Sequence, residues 1–89
     1  MSSNNLVKVQ QLRESIASIT EVMDSLGDEK ERLSKMRREL SECWCSEAAE
    51  IFLSELDKRI NEIDRCISKA DGVRGKIKKQ ADLLAKSMK

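Results

Sequence analysis

Proline, histidine and tyrosine are missing from this 89-residue chain, and glycine, tryptophan and phenylalanine are scarce, at three, one and one. Without proline, and with Gly27, Gly72 and Gly75 as its only glycines, the chain has few residues that stop a helix. Strands would want β-branched and aromatic runs bounded by turn residues, and none is present. The bulk is Leu, Ile, Ala, Glu, Lys, Arg and Ser, mostly good helix formers, so composition predicts an all-α fold. Lack of histidine removes the usual general base at neutral pH, and lack of tyrosine removes another proton carrier. The expectation is a protein that is not an enzyme.

Long apolar runs are missing too. No stretch of about 18 apolar residues exists, which predicts no membrane insertion. The opening MSSNNLVKV lacks the charged-then-apolar layout of a cleaved signal peptide. Neither charge sign dominates: 17 Lys and Arg balance 16 Asp and Glu for a net charge of +1. The most basic stretch, Arg74 to Lys79, has no interleaved aromatics to stack bases, so nucleic acid is not expected as a partner. Cys43, Cys45 and Cys66 are odd in number, which excludes a fully paired disulfide set within one chain. Three thiols also fall short of the usual four zinc ligands, and no metal or cofactor is expected. A thiol-based metal or redox module would need zinc bridged across a dimer or an activated cysteine.

What is present is periodicity. In the first half Val9, Leu12, Ile16, Ile19, Met23, Leu26, Leu33 and Leu40 alternate at three and four residues, the spacing of a heptad seam. Lys30 and Arg37 break one of its two rows. In the second half Ala49, Phe52, Leu56, Ile60, Ile63, Ile67, Ala70, Ile77, Ala81, Leu84 and Met88 continue the pattern, with Arg74 as its strongly polar interruption. The pattern lapses at Glu42-Cys43-Trp44-Cys45-Ser46. There Ser46 is placed to cap a new helix, and Glu47 and Glu50 fall in its positively polarised first turn.

These features predict a single antiparallel two-helix hairpin over 1–89: helix one about 6–41, a turn about 42–46 and helix two about 47–87. The rival is a three- or four-helix array broken at Ser25-Leu26-Gly27-Asp28 and Asp71-Gly72-Val73-Arg74-Gly75. Continuous helices are favoured because the seam keeps its phase through both segments. Long helices of this kind need each other's apolar strips for stability. Apolar residues outside the seam exceed what a hairpin covers. Val22, Met36 and Cys43 lie heptad multiples apart on one flank of helix one, and Cys66 and Val73 do so on helix two. With Ile51 they form a candidate partner face, and a second hairpin would bury it as a four-helix bundle. Trp44 reads either as a cap over the end of the helix pair or as an exposed anchor for a partner.

The segment WCSEAAEIF resembles the Trp-x-Gly turn of the WXG family of small type VII (ESX-type) secretion proteins. Trp44 matches the family's Trp, Ser46 stands where Gly is usual, and Ala48, Ala49 and Phe52 match the small residues and Phe that open the second helix. The resemblance implies a helical hairpin that binds a helical partner. That partner is a second copy in a homodimer or a larger LXG-type secreted toxin, beside whose helices the chain would stack as companion and targeting factor. It also implies synthesis in the cytoplasm of a Gram-positive cell and export without a cleaved signal peptide. The family's Tyr-x-x-x-Asp/Glu export signal has no counterpart here, so by the resemblance the partner would bear it. The alternative is a cytoplasmic helical adaptor or scaffold unrelated to secretion.

Overall fold

The computed structural model describes residues 2–87 and consists of two helices, α1 (Ser2–Cys43) and α2 (Glu47–Ser87), in an all-α helical hairpin. Helix one is longer than the apolar pattern predicts at both ends, and the turn shrinks to Trp44, Cys45 and Ser46. At the C-terminal end the reason is local. The amide of Trp44 still donates to the carbonyl of Leu40 at 2.9 Å, so the helical ladder runs two residues past the last seam leucine's own turn. Ser46 then starts α2 as expected. Its hydroxyl oxygen accepts from the Ala49 amide at 3.1 Å and its carbonyl from the Glu50 amide at 3.0 Å. The first bond satisfies an amide that otherwise has no partner at a helix start, and the second is the first backbone bond of α2.

No break occurs at the glycines. Gly27, Gly72 and Gly75 are all helical, and no described residue has positive φ. The three- or four-helix rival is therefore excluded. The seam keeps its phase because enough apolar residues on either side of each glycine hold one helical face against the partner helix.

Two compact units are distinguishable along the pair. The turn unit, Asp24–Ser68, contains the main core. Leu33, Leu56 and Ile63 are buried together, and Leu26, Met36, Leu40, Leu53, Ile60 and Ile67 pack against them half-buried. Each fully buried aliphatic side chain of this size contributes about 1.5–3 kcal/mol. The polar breaks of the α1 seam are answered from α2. Arg37 Nε donates to Asp57 Oδ1 at 2.6 Å and Nη2 to Oδ2 at 3.2 Å, while Lys30 Nζ lies 2.7 Å from Asp64 Oδ1. The cations are one heptad apart on α1 and the carboxylates one heptad apart on α2, running the opposite way. Both pairs thus report one antiparallel register.

The terminal unit joins Met1–Met23 with Lys69–Lys89. Its buried side chains are small, Val9 and Ala81, and Leu12, Ile16, Ile19, Met23, Ala70, Ile77 and Leu84 are half-buried around them. Arg74, the polar interruption of the α2 seam, donates Nη1 to Thr20 Oγ1 of α1 at 3.0 Å and Nη2 to Asp71 Oδ1 at 2.7 Å. A guanidinium inside a seam is tolerated when its donors are engaged and its stem lies along apolar neighbours.

Candidate partner-binding surface

Within the turn unit, the end of α1 and the start of α2 display the residues of the WCSEAAEIF segment. Ala49 is buried, at 1% exposure, whereas Ala48 faces out. The Trp44 and Phe52 rings meet with centroids 6.1 Å apart and planes tilted by 44°, yet each remains 42% exposed. Tilted rings at this distance attract through their quadrupoles. Trp44 thus lies against Phe52 and leaves part of its own ring in water. Ile51 beside it is also largely exposed.

The Cys43 thiol donates to the Glu39 carbonyl at 2.8 Å, and all three cysteines are free and exposed. Cys43, expected within the turn, closes α1 instead. The turn at Trp44, Cys45 and Ser46 uses no positive φ and so does not require glycine. Among the described residues, no three His, Cys, Asp or Glu side chains gather so as to hold a metal ion.

The terminal unit carries the other part of the surface. Val22 of α1 and Val73 of α2, each more than half exposed, wall an open groove of about 290 Å³ with Ile19, Ala70 and Ser18. Both valines belong to the face expected from heptad spacing, and the structure brings them together. Met36 belongs to it less well. It is half-buried and packs on the Leu33, Leu56 and Ile63 core, because its flexible side chain fills the space beside the polar break at Arg37. Cys66 stays exposed. Leu6, Val7 and Leu83 are further exposed apolar residues, none of which was placed on the candidate face.

Electrostatics around these surfaces is ordinary. Arg32 donates to Glu29 through Nη2 at 2.6 Å and Nε at 3.3 Å. That hydrogen bond holds the Glu29 carboxyl below its usual value and raises the Arg32 guanidinium. Donation to Asp57 likewise raises Arg37. The interhelical pairs were the feature least expected from sequence. Their signal was present in two heptad-spaced cations, Lys30 and Arg37, and two heptad-spaced carboxylates, Asp57 and Asp64, on helices that fold back on each other. Among the described residues, no helix is long and apolar enough to cross a membrane. Comparison with protein families, curated proteins and solved structures finds no match to the chain.

Proposed function

We propose that this chain is a non-enzymatic binding subunit whose apolar flank takes up another helical protein, and that it acts as a WXG-like component of a type VII secretion substrate complex. The observation that carries the binding part is the pairing of Val22 with Val73 across an apolar groove open to solvent. A hairpin that needed nothing further would place polar residues there, and a contiguous apolar strip in water favours association. The secretion part is supported by the Trp44 turn, whose ring is shared between Phe52 and solvent. Tryptophan exposed in this way is a frequent anchor in interfaces. In this reading the Trp44 turn and a signal on the partner together address the complex for export.

A second reading, a cytoplasmic adaptor or scaffold, is favoured by one specific feature: with no tyrosine in the chain, the family's export signal is missing. One experiment separates the two. The chain is co-expressed with the product of the neighbouring gene, and the complex is followed in cells with and without a working type VII apparatus. The secretion reading expects a stable complex, lost with Val22→Asp and Val73→Asp together, and secretion-dependent appearance in the medium that Trp44→Ala abolishes without dissolving the complex. A complex retained in the cytoplasm in both strains selects the adaptor. A monomer under all conditions, unaffected by the valine substitutions, rejects both.

A further inference from the structure

The terminal unit has two unlike sides. On one, two hollows follow each other along the helix pair. The first, of about 290 Å³, is lined by Ser18, Ile19, Val22, Ala70 and Val73, and the second, of about 240 Å³, by Lys8, Gln11, Leu12, Ser15, Gln80 and Leu84. Gln11, Ser15, Ser18 and Val22 recur at the spacing of one helical stripe, so a single row of α1 edges both. Val73 and Gln80, one heptad apart, edge them from α2. From Lys8 to Val22 this trough runs about 20 Å at the rise of an α-helix. Its floor is half-buried and apolar, Leu12, Ile19, Ala70 and Leu84.

Charge distinguishes this side from the other. No carboxylate lines either hollow of the trough. The opposite side has a hollow lined by Ile16, Thr20, Asp71, Arg74, Gly75 and Lys78, where Arg74 closes on Thr20 and Asp71. Asp82 lies one heptad beyond Gly75 and so belongs to that side too. The two acidic residues of 69–89 thus sit away from the trough, although seven basic residues share the stretch with them. Lys69 and Lys76, four before and three after Val73, stand exposed along its α2 edge, and neither forms an ion pair among the described residues. The α1 edge is different. Its stripe is hydroxyl and amide, and Glu14 and Glu21 stand one residue behind it, further round the helix from the seam.

We infer that this trough seats one amphipathic helix of another protein, whose apolar row fills the floor and whose one edge, the edge that meets α2, carries Asp or Glu. The occupant is a helix because the walls are two antiparallel helices offering side chains at three-four spacing, into which a third helix packs lengthwise. Its acidic edge follows from Lys69 and Lys76, cations that no group of this chain engages. The two unlike walls also fix which way round the occupant lies, since a basic edge on α2 would set like charges together. Complementary charge of this kind selects the partner and speeds its docking more than it adds affinity. The inference rests on the proposed role in binding a helical protein and specifies the chemistry of the segment bound.

The test is fluorescence anisotropy of labelled synthetic helical peptides three heptads long, alike in their row of leucine and alanine and carrying either Glu or Lys along one edge. The full chain is expected to bind the Glu-edged peptide about tenfold or more tighter than the Lys-edged one, with the difference shrinking at high salt. Lys69→Glu with Lys76→Glu should reverse that order, and Val22→Asp with Val73→Asp should remove binding of both peptides. Far-UV circular dichroism confirms that each variant keeps its helices. Amide chemical shifts are expected to move at Ser15, Ser18, Val73 and Gln80 and to stay fixed at Thr20 and Lys78. Equal affinity for the two peptides, no binding up to about 1 mM, or shifts confined to the Thr20 side overturns the inference. Binding to phosphatidylglycerol vesicles, or self-association in sedimentation, in place of peptide binding also overturns it, because a lipid surface or a second copy is then the occupant. A co-expressed complex that is lost with the valine substitutions but indifferent to the lysine ones sinks this inference alone. If neither the peptides nor any co-expressed protein binds, the binding role falls with it.

Discussion

The turn unit and the terminal unit use the same two helices and the same seam spacing but are held together differently. In the turn unit large aliphatic side chains, Leu33, Leu56 and Ile63, bury one another, and the polar breaks are closed by Arg37 with Asp57 and Lys30 with Asp64. In the terminal unit the buried residues are Val9 and Ala81, the polar break is closed by Arg74 on Thr20, and an apolar groove stays open between Val22 and Val73. Both units leave apolar side chains in water, Trp44, Ile51 and Phe52 in the turn unit and Val22 and Val73 in the terminal unit, but the turn unit buries large aliphatic residues together and the terminal unit buries small ones. The contrast teaches that a uniform heptad pattern does not imply uniform stability: the volume of the buried side chains sets it.

The sharpest way to break this comparison is truncation of one core residue in each unit. Leu33→Ala is expected to cost about 2–4 kcal/mol and Val9→Ala about 1–2 kcal/mol in denaturant unfolding, because lost contact and residual cavity scale with the volume removed. Equal costs would erase the distinction. Next in size is Ser46→Ala, which removes the acceptor for the Ala49 amide and is expected to lower stability by about 1 kcal/mol. If thermal unfolding does not change, the cap contributes nothing to holding the turn unit closed.

An opposite sign is expected at Gly72. It lies within α2, has no positive φ, and a Cβ built there meets nothing within 4 Å. Gly72→Ala should therefore raise stability by about 0.5–1 kcal/mol. A loss would mean that the terminal unit needs a flexible helix there.

The smallest effect concerns pH. Glu29 ionises more readily in the fold than its usual 4.5, chiefly through the Arg32 hydrogen bond. Its contribution is therefore present above pH 4.5 and is lost as pH falls through the lower folded value. Glu29→Gln should flatten the acid limb of the stability profile slightly, since the pair is exposed. An unchanged limb would assign the acid sensitivity to other carboxylates.

Much of this architecture was readable from residue spacing. Both helices, the turn near Trp44 and the capping role of Ser46 follow from periodicity and from the chemistry of helix starts. The ends of α1 were not, because backbone hydrogen bonding continues through residues such as Cys43 that contribute nothing to the apolar pattern. Heptad spacing groups Val22 with Met36 and Cys43 on α1 and Val73 with Cys66 on α2; that the two valines wall one groove is read from the structure. Met36 shares the phase of Val22 but sits one position from the polar break at Arg37, from where it can cover part of that gap, and it packs half-buried on the core. Trp44 could not be assigned to cap or anchor from sequence, and in the structure its ring divides between Phe52 and solvent.

The two crossing ion pairs have one more consequence. Aliphatic rows alone would let one helix slide past the other by a heptad and settle into an almost equivalent fit, a misfolding hazard for repetitive helical sequences. Here a slide in one direction strands Asp64 beside Met23, and a slide in the other strands Asp57 beside Trp44. Arg37 and Lys30 thus act as a vernier, giving the correct alignment a gap over its nearest competitors that the greasy contacts cannot provide.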